Sequence, residues 1–412
     1  MPTAVTPKVQ LRLGPGAAFG AVLELGSPLN GILGTNILGT TSAQFVDITS
    51  NTQQISIRRG RDRVFNQYNT GTAVVRFLDT TGNWNPANTS SPYYNQIKPL
   101  RQLIITGSYS GTTYPLFAGY ISAWDWEWPD PSANYAIVTI TAEDGFRLLS
   151  LANVTTVAGA TAGELPGARI ADILTQISWP ATLRALSVGD TTLQADPGTE
   201  RSALEAIQTV AASDLGDFFM NASGDATFIG RAEASVAAAG TATAFADDGT
   251  GIKYQGIDLN LDETDLANVV RFQRAGGTVQ TATSSSSVDE YFTRTYDQND
   301  LLMQTDTVAL NKATAVLAYR KDPRIRVDSL TLDATAVSNR VIPAVDLKIG
   351  DPITVKRRMA NSTSLTARLT IQGISHDITP DRWVTQFTTA YPLSVAFILG
   401  SSSFGILGTS TL

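Results

Sequence analysis

Apolar and polar positions alternate along the first 150 residues in short runs separated by turn formers, the period-two pattern of strands with one buried face. FVDITS from Phe45, QISIRR from Gln54, TAVVRFLD from Thr72 and QLIITGSY from Gln102 are rich in β-branched residues and predict strands. LFAGYISAWDWEW and YAIVTITAED predict a hairpin-like pair, with Pro129 and Pro131 breaking the chain between them. Trp124, Trp126 and Trp128 alternate, which puts three indoles on one strand face. The stretch from Asp79 to Asn95, DTTGNWNPANTSSPYYN, carries Gly82, Pro86, Pro92 and several Asn. It fits neither regular period and predicts an ordered loop anchored by its aromatics, Trp84 and Tyr93 among them.

The texture changes at Gly145. ARIADILTQI places Ile170, Ile173, Leu174 and Ile177 at helical spacing, and SALEAIQTVAAS repeats the habit with Leu204, Ile207 and Val210, so both predict amphipathic helices. DFFMNASGDATFIGR predicts strand, Asx-Gly turn, strand. From Ala232 to Thr250 and from Gly276 to Ser287 the sequence falls into small and hydroxylated residues, which predicts long loops or extensions. KATAVLAYRKDPRIRVDSLTLDA mixes a short helix with a strand, and VDLKIGDPITVKR from Val345 predicts strand, tight Gly-Asp turn, strand. LTARLTIQGISHDITPDRWVTQFTTAYP alternates well enough for two or three antiparallel strands. The expected class is mainly β with an α+β central domain. The expected organisation is a β-rich domain with an aromatic loop at 1–150, a mixed α+β domain at 151–235, extended loops and strands of a middle domain at 236–340, and a C-terminal antiparallel β domain with a tail segment at 341–412.

A repeat joins the two ends. LELGSPLNGILGTNIL, Leu23 to Leu38, aligns without gaps onto FILGSSSFGILGTSTL, Phe397 to Leu412, at an offset of 374 residues with nine of sixteen positions identical. The duplication reads as a repeated packing solution that seats a leucine in a hydrophobic groove, with Leu407 and Leu412 as candidate interface residues of the second copy. The alternative is a segment that binds an equivalent groove on a neighbouring protein.

Composition removes most chemistry. Charged residues make up 16% of 412, against about a quarter in an ordinary soluble domain, and the hydrophobic share is 43%, so compact folding is expected. The net charge of −7 argues against a protein that coats nucleic-acid phosphates or an anionic membrane. Without cysteine there are no disulfides, thiolate metal sites or thiol nucleophiles. No secretory leader and no apolar run of membrane-spanning length is read in the chain, so stable membrane insertion is not expected. The sole histidine, His376, has Asp377 and Asp381 nearby but no nucleophile elbow accompanies it, and a structural role is expected. The glycines of GPGAAFG match neither a dinucleotide fingerprint nor a Walker loop. Glu127, Asp130, Glu143 and Asp144 flank the tryptophan strand, and paired carboxylates serve glycan hydrolysis, yet alternating indoles are more often core or interface anchors. No catalytic, cofactor-binding or metal-binding residue is therefore assigned. Arg58, Arg59, Arg61 and Arg63 form the densest positive charge, with Asp62 inside the cluster and Asp79 as a possible partner. An intersubunit salt-bridge network is expected there.

The arginine cluster and the loop after it carry one specific resemblance. FVDIT, ISIRRGRDR and GTAVVRFLDTTGNWNPANTSSPYY resemble the amino-terminal signature of the minor tail or baseplate hub (tail-tip) proteins of tailed bacteriophages. In that family a Gly-Arg turn, a small-residue strand, an Asn/Asp-Gly turn and an Asn/Asp-Pro loop recur. Here they fall on Gly60 and Arg61, Ala73 to Leu78, Thr81 to Gly82, and Asn85 with Pro86. The likeness continues through PLRQLIITGSYSGTTYPLFAGYISAWDW and TITAEDGFRLL, and RSALEAIQTVAASDLGDFFMNASGDATFIGR is similar to the helix and hairpin of tail hubs. The doubled LGS…GILGT segments are similar to terminal motifs of the group in which Asp often replaces Gly26, Gly34, Gly400 or Gly408.

The resemblance implies β-barrel-like domains forming a homotrimeric ring, a virion location at the tail tip or baseplate, and assembly in the cytoplasm of the bacterial host. It implies as partners a distal tail protein, the tape measure protein and tail fibre or spike proteins, with no sequence-specific nucleic-acid binding, no cofactor and no enzymatic activity. The role would be mechanical, joining tube to fibres or spike and gating genome exit. Candidate interface residues are Arg58, Arg59, Arg61, Arg63, Trp84, Tyr93, Trp124, Trp126, Trp128, Leu407 and Leu412. Two competitors are a receptor- or carbohydrate-binding tail protein, favoured if the tryptophan face is exposed beside a cleft, and a cell-wall-degrading tail enzyme, favoured if two carboxylates converge in a pocket.

Overall fold

The computed structural model describes residues 4–13, 44–64, 66–130, 132, 134–335, 338–360 and 363–393; both copies of the repeat, and with them Leu407 and Leu412, lie outside the described residues. The chain opens with strands β1 (Thr6–Leu13), β2 (Gln44–Asp47), β3 (Thr52–Gly60), β4 (Asn69–Asp79), β5 (Gln102–Tyr109), β6 (Thr112–Glu127) and β7 (Ala136–Glu143). There follow α1 (Phe146–Leu151), β8 (Asn153–Val154), α2 (Pro166–Gln176), β9 (Arg184–Leu186), β10 (Arg201–Ser202), α3 (Ala203–Asp214), β11 (Asp217–Met220) and β12 (Ala226–Ile229). Next come α4 (Arg231–Ala239), β13 (Thr243–Ala246), β14 (Gly256–Asn260), β15 (Val269–Arg274), β16 (Gln280–Thr283), α5 (Ser285–Tyr291), β17 (Thr295–Leu301) and α6 (Asp306–Arg320). The last elements are β18 (Arg326–Asp333), α7 (Ser338–Asp346), β19 (Pro352–Arg358), β20 (Ser364–Thr379) and β21 (Arg382–Ala390).

One large sheet organises the chain, in the order β14, β18, β21, β20, β3, β4, β7, β6, β5, β1, β2, with β19 attached to β20 and β13 to β19. Strand β20 joins the two ends of the sequence: Ser364–Thr370 pairs β19, Gly373–Ile378 pairs β3, and Thr370–Thr379 pairs β21. At the crossing Gly60 has φ +114°, and a Cβ there would lie 2.3 Å from the Gly373 Cα, so no other residue fits without moving backbone. Buried Ile55, Ile57, Val75, Phe77, Val138, Ile140, Ile374 and Ile378 form the inner face at every second position, the reason these sequences settle as strands in this register.

The β-barrel-like domains expected from the resemblance are not found. The sheet path ends at β14 and β2, and among the described residues no ladder joins them. Alternation specifies a buried face but not closure, which requires the first and last strands to pair with a matched stagger. Edge strand β2 is four residues long and β14 is broken by a bulge between Asp258 and Leu259, so neither offers a long regular ladder. Side chains join the halves instead. Helix α7 packs on β5, β6 and β18, and fully buried Trp383 of β21 reaches within 3.0 Å of where a Gly107 Cβ would stand on β5.

The central segment forms α1, α2 and α3 with small sheets; α2 and α3 and the β11–β12 hairpin stand where sequence spacing places them. Ser202 caps α3 by accepting the Glu205 N–H, and Leu215 ends it in the left-handed conformation. The two small-residue tracts expected as loops contain structure. Ala-rich Arg231–Ala239 is α4, since Ala loses no side-chain entropy in a helix, and Thr243–Ala246 is β13 beside β19. The second tract holds β16 and the start of α5, fixed by ladder bonds to β15 and by Ser287 Oγ donating to Lys321 O at 2.5 Å. The strand expected at Val345 is the end of α7, whose Val341, Ala344 and Val345 share a buried helical face. A second core forms where α6 covers β15 and β16 around Val270, Phe272, Ala309 and Val316.

Candidate interface residues and the junction cavity

The aromatic loop is built from Asp79 outward. This buried carboxylate ends β4; its Oδ1 accepts from Thr81 N and Oγ1 at 3.1 Å each, and its Oδ2 from Trp84 N at 2.9 Å. Successive turns follow, with Asn85 N donating to Gly82 O, Asn88 N to Asn85 O, Ser91 N to Asn88 O and Tyr94 N to Ser91 O. Trp84 is thereby held against the edge of Phe77 (centroids 5.4 Å apart) and stacked on Tyr93 (4.6 Å) and Trp124 (6.0 Å). Trp124 stacks in turn on Trp126 at 6.4 Å. Both indole N–H groups have carbonyl acceptors, Trp126 to Trp84 O at 2.8 Å and Trp124 to Lys98 O at 3.1 Å. Trp84, Tyr93, Trp124 and Trp126 thus form one stack, and the loop covers the strand face rather than leaving it open. Trp128 lies past the end of β6 and is 57% exposed. Asp79 is occupied by its own loop, not by the arginine cluster.

The four arginines occupy four different environments. Arg58 is exposed on β3, in register with Thr72 and Ser375. Arg59 lies beside Asp144, and burial lowers its pKa to about 10 against the pull of that carboxylate. Asp144 accepts from Gly71 N at 2.7 Å and Phe146 N at 3.0 Å; burial pushes its pKa up to about 7, opposed by these bonds and by Arg59. On the neighbouring strand buried His376 contacts Thr385 Oγ1 through Nδ1 at 3.0 Å and the Trp383 ring edge-on. Burial, reinforced by Arg59, brings it down to about 3 and holds it neutral. Arg61 is buried: Nε donates to Gln372 Oε1 at 2.8 Å, NH2 reaches Asp217 Oδ1 at 2.8 Å, and the guanidinium covers the Tyr68 ring at 4.4 Å. Arg63 reaches Asp265 at 3.4 Å. Arg59, Arg61 and Arg63 therefore face carboxylates of their own chain.

The Arg61 to Asp217 pair forms one wall of a cavity of about 240 Å³ where the sheet, the central module and the α6 module meet. Tyr68, Leu215, Phe218, Ile349, Tyr296 and Tyr391 contribute further walls. Behind it lies a charge cluster that sequence spacing does not announce. Buried Lys312 of α6 donates to Asp190 Oδ1 at 3.1 Å and to Asp214 O at 2.9 Å, while the fully buried Asp214 carboxylate accepts from Thr191 N at 3.0 Å and Arg231 N at 3.2 Å. Burial raises the Asp214 carboxyl and lowers the Lys312 ammonium, each opposed by the other's charge. These groups are saturated by one another and link α3 to α6. Among the described residues no group of three His, Cys, Asp or Glu side chains is placed to hold a metal ion, and no helix is long and apolar enough to cross a membrane.

No protein-family model and no curated protein matches this chain. Solved structures do. The fold is similar to that of a tail protein from Neisseria meningitidis MC58, with a TM-score of 0.58 at 10% identity over 94% of this chain and 96% of that one. It is similar also to the 43 kDa tail protein of prophage MuSo2 from Shewanella oneidensis, with a TM-score of 0.56 at 12% identity over 93% of this chain and 98% of that one. At such identities the likeness is one of fold.

Proposed function

We propose that this chain is a structural component of a phage tail tip or baseplate, a hub that joins the tail tube to distal fibres or a spike. The observation that carries the reading is the near end-to-end likeness of fold to two proteins described as tail proteins, spanning both chains almost completely. The saturated charges fit it: Arg61, Asp217, Lys312 and Asp214 are committed to partners in the same chain and brace the modules instead of serving a reaction. In this reading the chain assembles as a homotrimeric ring in the host cytoplasm, contacts a distal tail protein and the tape measure protein, and gates genome exit. Arg58 and Trp128, exposed on β3 and past β6, are then the candidate interface residues best placed to meet a neighbour. Coverage of Trp124 by Trp84, itself stacked on Tyr93, and of Trp126 by Trp124 counts against a tryptophan-lined carbohydrate cleft. Immunogold electron microscopy of intact particles with an antibody against this chain tests the proposal. Label at the tail end away from the capsid is expected; label along the shaft, on the capsid or on no particle refutes it.

A further inference from the structure

Lys312 sits on the buried face of α6 with Ala309, Ala313, Val316 and Leu317. Its Nζ stands 3.1 Å from Asp190 Oδ1 and 3.6 Å from Asp214 Oδ1, so one amine and two carboxyls meet at contact distance. The other oxygen of Asp190, Oδ2, faces the Arg231 guanidinium at 3.5 Å. Asp214 is fully buried, is fixed by the N–H groups of Thr191 and Arg231, and lies within hydrogen-bonding reach of the Asp190 carboxyl. Burial favours the uncharged forms of both partners, moving the Lys312 ammonium down and the Asp214 carboxyl up.

We propose that Lys312 and Asp190 condense into an intramolecular amide that ties α6 to the loop between β9 and β10, with Asp214 as proton relay and Arg231 beside the developing oxyanion. The Lys312 ammonium first passes a proton to Asp190 Oδ1, and the neutral Nζ then bonds to Asp190 Cγ. Negative charge collects on Oδ2, next to Arg231. Protonated Asp214 gives its proton to Oδ1 and takes another from the nitrogen, ending as it began. The Cγ–Oδ1 bond breaks, and water leaves on the side where Asp190 is 34% exposed. One ammonium and one carboxylate thereby become one amide and one water, with no oxidant, reductant or cofactor. Fixed contact supplies an effective molarity of about 10⁵ M or more. The neutral amide also relieves the cost of holding two charges away from water. The reaction runs once per chain and turns over no substrate; it makes permanent a brace across 122 positions of sequence.

Mass spectrometry of the unmodified full chain tests this directly. After storage of the folded protein at neutral pH and denaturation, a mass one water below that of the sequence is expected, and proteolysis should release a branched peptide joining Lys312 to Asp190. A mass that retains this water overturns the proposal, and so does loss of a water mapped to any other pair of residues. Lys312→Arg and Asp214→Asn should each abolish the branched peptide. A folded Asp214→Asn chain that still forms it refutes the relay. The tail-tip reading does not depend on the result.

Discussion

Replacing His376 by glutamine should make the protein gain stability on acidification relative to the parent. His376 and Asp144 are both buried near Arg59, and burial moves their pKa values in opposite senses, to about 3 and about 7. Unfolding returns them to about 6.5 and about 3.9. Between these limits the unfolded chain takes a proton at His376 that the folded chain refuses, so this site's contribution is present above about pH 6.5 and is lost as pH falls. At Asp144 the folded chain holds the extra proton, so that contribution is present below about pH 3.9 and is lost as pH rises through about 7. Going from about pH 7 to about pH 5, the histidine costs about 2 kcal/mol and the aspartate returns about 2 kcal/mol. The histidine figure follows from the unfolded value and the pH alone, since the folded group is neutral throughout. Urea denaturation followed by far-UV circular dichroism at both pH values checks this. Relative to the parent's own change between the two pH values, His376→Gln should gain about 2 kcal/mol at the lower pH and Asp144→Asn should lose about as much. Each variant is compared with itself, so the fixed cost of altering a buried contact cancels. If both variants respond to pH as the parent does, the opposed titrations are not there.

Other consequences follow from single contacts. Gly60→Ala meets the Gly373 Cα and Gln372 O within 2.4 Å and should lower stability by at least about 3 kcal/mol in thermal melting; a variant that melts with the parent contradicts the described crossing. Trp84→Ala removes the centre of the aromatic stack and should cost about 3 to 5 kcal/mol while opening 79–95 to limited proteolysis; unchanged cleavage would separate the loop's order from its aromatics. Arg61→Ala removes the cation facing Asp217, leaving that carboxylate only the Tyr68 hydroxyl, and should cost about 3 kcal/mol, and the double variant with Asp217→Ala should be less damaged than the sum of the singles; strict additivity in the denaturation cycle would deny their coupling.

What was legible in the sequence was local. Alternation placed β3 to β7 and the β20–β21 hairpin, and helical spacing placed α2 and α3, because each buries one face whatever its neighbours are. Composition misled where a residue type serves two states: Ala-rich 231–239 suggested a loop and is helix, and the alternation of VDLKIG hid the end of α7. The arginine cluster was visible as charge, but its carboxylates were not. Asp265 lies 202 positions from Arg63, and Asp217 stands on a strand of another module, so only the folded chain brings them together. Closure of the sheet is likewise a property of distant pairings, which is why alternation was compatible with a barrel and the chain forms an open path.

The long shared strand β20 also sets a clock for synthesis. Ser56 of β3 bonds Asp377 of β20 across 321 positions, so the edge of β3 waits for its partner until that intervening length has left the ribosome. At about 5 to 20 residues per second that wait lasts roughly a quarter of a minute to a minute. Throughout it β3 offers an unpaired edge to any other strand, including that of an adjacent nascent copy. Faithful production of this protein therefore depends on keeping neighbouring nascent chains apart until residue 379 has emerged.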